Sequence, residues 1–244
     1  MDFLCFKDIL TENFKKNQLD AYIKDDIIDK FYKLTELMLE KNSVMNITAI
    51  KDIEKIIPLH YADCLKIAAH IPEGAKIIDI GCGGGFPSLP LAIVRPDVTI
   101  VGVDSTSKKV SYVAETAKAL DLDNLSTISA RAEELITTPQ MRESFDVVIS
   151  RAVARLNMLN ELCLPFIRVD GKGIFMKGAA GNQELMEAES GIEKLGCTCE
   201  SVIEDTLWVT NDTKEERIQI IIKKTSSTPA QYPRQFGQIK KKPL

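Results

Sequence analysis

The glycine-rich segment Asp79-Ile-Gly-Cys-Gly-Gly-Gly-Phe-Pro87 is the most informative part of this 244-residue sequence. It follows the β-rich run 75–80 and leads into the apolar helical run 87–94. Glycines at positions 81, 83, 84 and 85 allow a tight turn and let the backbone approach a ligand closely. Because a helix begins at this turn, its free N–H groups point toward the same ligand. The segment therefore predicts a strand–loop–helix unit that binds a nucleotide-like cofactor.

The glycine spacing distinguishes between two such cofactors. A dinucleotide-binding loop has the pattern Gly-x-Gly-x-x-Gly, whereas the sixth position counted from Gly81 is Phe86. The pattern found here, Gly-x-Gly-x-Gly preceded by an acid, fits S-adenosylmethionine better than NAD. We therefore predict an S-adenosylmethionine site in which Gly81 and Gly83 approach the cofactor.

Short β-rich runs alternate with helical runs through the middle of the chain. They cover residues 75–80, 98–103, 126–129, 145–149 and 173–176. Two further β-like runs, 197–204 and 217–224, are too close together for a helical crossover, which favours an antiparallel pair. The sequence thus predicts an α/β fold of the class I methyltransferase (Rossmann-like) type, with a doubly wound sheet of five parallel strands plus an antiparallel hairpin.

The first 71 residues have a different pattern. Apolar residues recur there at three- and four-residue spacing over 9–38 and again over 53–68, which is typical of helices. The predicted organisation is a helical N-terminal extension at 1–71, an S-adenosylmethionine-binding methyltransferase domain at 72–225 and a basic tail at 226–244.

Polar residues at the predicted strand ends are candidates for cofactor binding. Asp104 ends the second strand, where its carboxylate can accept hydrogen bonds from both ribose hydroxyls; capping of the next helix is the alternative. After the third strand, the backbone N–H groups of Ala132 and Glu133 are placed to bind the adenine edge. Arg151 ends the fourth strand, where it can serve the cofactor or acceptor, or bridge the strand to a helix.

Residues 150–154 exclude two kinds of methyltransferase. They contain neither the nucleophilic cysteine of a pyrimidine C5 enzyme nor the Asp/Asn-Pro-Pro-aromatic motif common in exocyclic-amine enzymes. An arginine at this position favours binding without covalent catalysis. No catalytic residue is predicted beyond a positioning role for Arg151.

Charge is unevenly distributed along the chain. Of 31 basic and 35 acidic residues, six basic ones and no acidic one lie in 223–244, which leaves 25 basic and 35 acidic residues before it. A basic end on an acidic body favours a polyanion partner, with a solvated end as the alternative. Tyr232 and Phe236 lie within this end and could stack on RNA bases. Since the predicted cofactor residues lie within 81–151, deletion of 226–244 is expected to change S-adenosylmethionine affinity little.

The composition argues against several classes of protein. A hydrophobic fraction of 45% and a mean hydropathy of −0.04 are typical of a soluble globular chain. No apolar run reaches the ~18–20 residues of a membrane span, and the acidic N-terminus is unlike a signal peptide. The six cysteines form no C-x-x-C pair, and the two histidines, His60 and His70, lie far in sequence from the Cys197-Thr-Cys199 pair. We expect a cytoplasmic protein with reduced cysteines and no metal.

The motifs, taken in order along nearly the whole chain, resemble those of the RsmG (GidB) family. They are Asn46-Ile-Thr48, His60-Tyr-Ala-Asp63, the glycine segment continued to Leu91, Val103-Asp-Ser105 with Lys108-Lys109, Arg131-Ala-Glu-Glu134, Asp146-Val-Val-Ile-Ser-Arg-Ala-Val153, Met176-Lys-Gly178 and Tyr232-Pro-Arg234. The chain departs from the family in having Ser88 for a glycine, Cys82 for Ser or Thr, and no Trp before Asn42.

The resemblance implies transfer of a methyl group from S-adenosylmethionine to N7 of a guanine in bacterial small-subunit (16S) ribosomal RNA. It implies that the cofactor is contacted by Gly81, Phe86, Ala132, Glu133 and Arg151, with Asp104 near its ribose. The implied RNA contacts are Asn46, Arg131, Lys177 and Arg234, and the implied partner is small-subunit ribosomal RNA or the small-subunit particle, bound by a monomer. The alternatives are a small-molecule methyltransferase and an RNA-binding assembly factor with a vestigial cofactor pocket.

Overall fold

A seven-stranded sheet forms the centre of the protein in a computed structural model that describes residues 2–244. The strands are β1 (Lys76–Ile80), β2 (Thr99–Asp104), β3 (Leu125–Ser129), β4 (Phe145–Arg151), β5 (Ile167–Lys177), β6 (Cys197–Trp208) and β7 (Lys214–Lys224). Their order is β3-β2-β1-β4-β5-β7-β6. The first five strands run parallel, and β7 runs antiparallel to both β5 and β6. The predicted class I methyltransferase architecture is confirmed.

Helices cover both faces of this sheet. The α-helices are α1 (Phe3–Lys16), α2 (Asp25–Asn42), α3 (Ile53–Ile56), α4 (Asp63–Leu65), α5 (Ser88–Val94), α6 (Ser107–Ala119), α7 (Ala132–Leu135), α8 (Leu156–Cys163), α9 (Gly181–Lys194) and α10 (Phe236–Lys241). A π-helical segment, Ile57–Ala62, joins α3 to α4, and short 3-10 helices lie at Asp20–Tyr22, Ala68–His70 and Leu164–Phe166. No helix among residues 2–244 is long and apolar enough to span a membrane.

Two hydrophobic cores lie on opposite faces of the sheet. Alternate side chains of a strand point to opposite faces, so Ile77 and Val147 join one core while Ile78 and Val148 join the other. The first core contains α1, α2, α5 and α6, which places the N-terminal helices directly against the sheet. The second core contains α8, α9 and the buried Ile239 of α10, so the C-terminal tail also packs on the body.

The hairpin of β6 and β7 extends beyond the predicted runs 197–204 and 217–224 because its tip contacts the N-terminal helices. The Trp208 backbone N–H donates to Asn17 Oδ1 at 2.9 Å, and Asn17 Nδ2 donates to the Trp208 carbonyl at 3.0 Å. The Lys16 Nζ lies 4.6 Å from the centre of the Trp208 ring. These contacts join residues about 190 positions apart. Hydrophobic periodicity, which compares nearby residues, therefore could not predict the length of the hairpin.

The helix between β4 and β5 is shorter than the gap between the predicted strands at 145–149 and 173–176. Helix α8 ends at Cys163, a 3-10 turn follows, and β5 begins at Ile167, well before the predicted strand at 173–176. The cause is Pro165, which has no N–H group to continue a helix and therefore ends the helical run.

Candidate active site

A cavity of about 450 Å³ lies at the C-terminal ends of β1, β2, β3 and β4. This volume is within the ~300–1,000 Å³ of ordinary small-molecule sites, and the position is the one where open α/β sheets bind ligands. All seven residues predicted to bind the cofactor line the cavity, namely Gly81, Gly83, Phe86, Asp104, Ala132, Glu133 and Arg151. Residues outside the methyltransferase domain also line the cavity: Ile47 and His60 belong to the N-terminal extension, and Phe236 belongs to the C-terminal tail.

The glycine loop adopts a backbone conformation that other residues rarely adopt. Gly81 and Gly83 have φ angles of +79° and +55°. A Cβ atom on Gly81 would lie 2.3 Å from Val153 Cγ2, so this position also lacks room for a side chain. A Cβ on Gly83 would meet nothing closer than the Gly81 carbonyl at 3.8 Å, so glycine is required there by φ alone.

Asp104 ties the glycine loop to the end of β2. Its Oδ2 accepts a hydrogen bond from the Gly83 N–H at 3.0 Å, and its Oδ1 accepts one from the Thr106 N–H at 2.8 Å. Thr106 precedes α6, so the carboxylate does not bond an N–H of the first helical turn as a capping residue would. Each carboxylate oxygen has a second lone pair, which leaves both oxygens able to accept from ribose hydroxyls.

Helix α7 follows β3, which lies two strands away from β1, the strand that leads into the glycine loop. The N–H groups of Ala132 and Glu133 are at the start of this helix, where backbone donors have no acceptor within the helix. The side chain of Arg131 is 56% exposed, and its Nη1 lies 3.8 Å from Glu133 Oε1. This edge therefore offers backbone donors to a base and an exposed cation in the cavity wall.

Arg151 both lines the cavity and joins β4 to the N-terminal helices. Its Nη1 donates to the Leu59 carbonyl at 2.9 Å and to Asp63 Oδ2 at 2.9 Å. Asp63 accepts a second bond from Arg217 Nε at 2.7 Å, so one carboxylate serves two guanidinium groups. The Arg151 guanidinium carbon also lies 5.8 Å from the centre of the Phe86 ring. The structure thus gives Arg151 a bridging role in addition to its place in the cavity wall.

His60 is a cavity residue that the sequence analysis did not single out. Its ring stacks on Phe86 with centres 4.5 Å apart, and its Nε2 lies 2.8 Å from Thr48 Oγ1. Its Nδ1 lies 3.3 Å from Arg151 Nη2. Burial, and then the positive charge of Arg151, lower the His60 pKa to about 4, so the imidazole is neutral at pH 7. Its place in the motif His60-Tyr-Ala-Asp63 was the available signal.

Asp79 supplies a buried carboxylate beneath the glycine loop. Its Oδ2 accepts from Ser88 Oγ at 2.5 Å, whereas its Oδ1 has no protein partner among the described residues. Burial raises the pKa of Asp79 to about 7. Asp79 is 0% exposed and is not among the residues that line the cavity, so its unpaired oxygen lies in the protein interior.

The four residues predicted to contact RNA lie in two different settings. Arg131 lines the cavity and is largely exposed, and Asn46 is an exposed neighbour in sequence of the lining residue Ile47. Lys177 is held by Glu184 at 2.8 Å and by a backbone carbonyl. Arg234 is held by the buried Glu161. RNA contact by these four residues stays a prediction.

The fold and the cavity define a class I methyltransferase, the class that uses S-adenosylmethionine. Geranyl diphosphate methyltransferase in complex with GPP and sinefungin aligns with a TM-score of 0.54 at 13% identity, over 71% of this chain and 82% of that chain. TYW2 of M. jannaschii in complex with AdoMet aligns with a TM-score of 0.53 at 14% identity, over 66% and 74%. These likenesses support the fold.

Sequence comparison identifies the family. The family model GidB, described as rRNA small subunit methyltransferase G, matches residues 27–206. Proteins of that name from Clostridium novyi and Staphylococcus carnosus are 39% and 40% identical, over 98% and 94% of this chain and 97% and 96% of theirs. The chain belongs to the rRNA small subunit methyltransferase G (RsmG, GidB) family. This membership confirms the family, and with it the methyltransferase class and the S-adenosylmethionine cofactor, that the motifs predicted.

Metal ligands were not expected from the sequence. Within residues 2–244, no three His, Cys, Asp or Glu side chains come together as a metal site would require. The cysteines in the same part of the chain are free thiols, of which Cys5 and Cys199 are exposed.

Proposed function

We propose that the protein transfers a methyl group from S-adenosylmethionine to N7 of a guanine in bacterial small-subunit (16S) ribosomal RNA. The observation that carries the proposal is the cavity at the strand ends, which gathers all seven predicted cofactor residues in a chain that matches its family over nearly its whole length. In this proposal the extension 1–71, the methyltransferase domain 72–225 and the tail 226–244 each contribute to the cavity. The protein acts as a monomer in the cytoplasm, where ribosomal RNA is its partner.

The chain's own residues fit this cofactor. The loop at Gly81 and Gly83 brings backbone to the cavity without side chains. Asp104 would accept hydrogen bonds from the ribose, and the N–H groups of Ala132 and Glu133 would donate to the base. When bound, S-adenosylmethionine supplies a methyl group on a positively charged sulfur. Asp104 places a carboxylate in the cavity wall, where its negative charge and acceptor capacity would favour that cation.

The acceptor explains why no general base is needed. Guanine N7 has a free lone pair and no proton, so it can attack a methyl group directly. Both nitrogens of the neutral His60 are occupied by Thr48 and Arg151, which suits a positioning role for its ring. Ile47, Phe86 and Val153 make part of the cavity wall apolar, which would limit water around the reacting atoms when the ligands are bound. The rate then comes from alignment and from water exclusion.

The target guanine must be accessible from its N7 edge. That edge lies in the major groove, which is deep and narrow in A-form RNA, so the target sits in a loop or distorted segment, or is flipped out. The exposed Arg131 in the cavity wall, and the exposed Asn46 beside the lining residue Ile47, are suited to hold the RNA around such a base.

Methyl transfer from labelled S-adenosylmethionine tests the proposal. Label should enter small-subunit ribosomal RNA, free or in particles, when the wild-type protein is present. Asp104→Ala should transfer poorly, and Asp123→Ala, which removes an exposed carboxylate outside the cavity, should match wild type. Label confined to small molecules would favour the small-molecule methyltransferase. RNA binding without cofactor binding would favour the assembly factor, against which the ordered bonds from Asp104 to the glycine loop already argue.

A further inference from the structure

The C-terminal tail contributes an aromatic side chain to the cofactor cavity. Phe236, the first residue of α10, lines the cavity together with Ala130, Arg131, Ala132 and Glu133. Its ring centre lies 6.0 Å from the Arg131 guanidinium carbon. The ring therefore lies beside the first turn of α7, at the end of the cavity opposite Arg151.

The tail is fixed in this position by buried contacts. Arg234 donates from Nε and Nη2 to Glu161 at 2.9 and 2.7 Å, and the Glu161 side chain is 0% exposed. Ile239 is also 0% exposed and anchors α10 in the second core. The Arg142 guanidinium donates to three tail carbonyls, those of Thr228, Pro229 and Tyr232. A bidentate ion pair with a buried partner holds its segment of chain in one geometry. Phe236 lies two residues after Arg234, so its position in the cavity wall is fixed.

We infer that the tail forms the adenine-side wall of the S-adenosylmethionine pocket, with Phe236 as a cofactor-binding residue that contacts the base. The inference rests on the proposed function for the identity of the cofactor. The N–H groups of Ala132 and Glu133 can bind only the edge of the base, and its flat faces need apolar or aromatic neighbours. Phe236 is the aromatic ring at this end of the cavity in the part of the chain that the structure describes. The sequence instead predicts that the tail leaves cofactor affinity little changed, because the predicted pocket residues lie within 81–151.

Calorimetric titration with S-adenosylmethionine tests the contact. Phe236→Ala should weaken binding roughly 5- to 150-fold, because removing an aromatic side chain stacked on a base costs ~1–3 kcal/mol. Phe236→Tyr keeps the ring and should bind within about twofold of wild type. Gln238→Ala, an exposed position on the same helix outside the cavity, is the matched control and should not change binding.

Two further readouts separate contact with the base from general loosening of the tail. The loss in Phe236→Ala should be the same for 5′-methylthioadenosine, which has the adenine and ribose but no amino-acid portion. In methyl transfer, KM for S-adenosylmethionine should rise while kcat changes by no more than about twofold, since the base is remote from the methyl group.

The outcomes distinguish this inference from the proposed function. A folded Phe236→Ala protein with wild-type affinity, or one that loses kcat at unchanged KM, would overturn the adenine-side wall while leaving the methyltransferase intact. Wild-type protein that binds no S-adenosylmethionine would overturn the proposed function itself. If Phe236→Ala fails to fold, Phe236→Leu gives the same test, with expected affinity between those of Ala and wild type.

Discussion

Replacement of Asp104 by alanine should weaken S-adenosylmethionine binding by roughly 10- to 150-fold. The carboxylate is placed to accept from the ribose hydroxyls, and charge-assisted hydrogen bonds contribute ~1.5–3 kcal/mol, which corresponds to that range. The structure adds a second effect, because the same oxygens accept from the Gly83 and Thr106 N–H groups at 3.0 and 2.8 Å. Since Asp104 is partly exposed, water can replace the lost acceptor, and the free energy of unfolding of Asp104→Ala should fall by only ~1 kcal/mol.

Isothermal titration of folded variants measures this loss. Asp104→Asn retains the shape and one acceptor oxygen, so it should lie between Asp104→Ala and wild type. Asp123→Ala is the control for loss of an exposed carboxylate elsewhere. Circular dichroism and thermal melting establish that each variant is folded. Wild-type affinity in folded Asp104→Ala would refute the assignment of Asp104 to the ribose and would leave it as a residue that only shapes the glycine loop.

Three further predictions follow from the contacts around the cavity. Arg151→Ala should lower methyl transfer well beyond its effect on stability, because it removes a cavity residue while Arg217 still neutralises Asp63; transfer rates matched to wild type, or a protein that does not fold, would count against this. The His60 pKa is lowered to about 4 from an ordinary 6.5, so the unfolded chain takes up a proton at a higher pH than the folded protein does. The contribution of neutral, buried His60 to the free energy of unfolding is therefore fully present above pH 6.5 and falls by up to about 3 kcal/mol as the pH drops to 4. In urea denaturation at several pH values, His60→Gln should lack that component, and an unchanged pH dependence would contradict it. Alanine substitution of the exposed lysines Lys240, Lys241 and Lys242 should reduce the slope of log RNA affinity against log salt by roughly 2–3 units with unchanged cofactor affinity; an unaltered slope would place the RNA surface elsewhere.

The strand ends of the cavity were predictable because local signals fix them. The glycine loop, Asp104 and Arg151 each follow a β-rich run, and parallel strands bring their C-terminal ends to one edge of the sheet. The family motifs then supply the roles of residues such as Ala132. In this part of the molecule, neighbours in sequence are also neighbours in the site.

The remaining parts of the site depend on contacts between distant positions. Asp63 joins Arg151 and Arg217, which are 88 and 154 residues away in the sequence. Phe236 reaches the cavity because Arg234 pairs with Glu161 and because Ile239 and Arg142 also hold the tail to the body. Basic residues that suggested a free RNA-binding end therefore in part fix the tail in place. Neither hydrophobic periodicity nor charge composition contains this information.

The methylated nucleotide is the most direct test of the central claim. Small-subunit ribosomal RNA that lacks the modification is incubated with the protein and labelled S-adenosylmethionine. The RNA is then treated with borohydride and aniline, which cleave the RNA at 7-methylguanosine. The account predicts cleavage at one guanine that depends on both the protein and the cofactor, and that is lost with Asp104→Ala. Labelled RNA that is not cleaved would mean that the methyl group goes to another atom, and absence of label from the RNA would contradict the claim altogether.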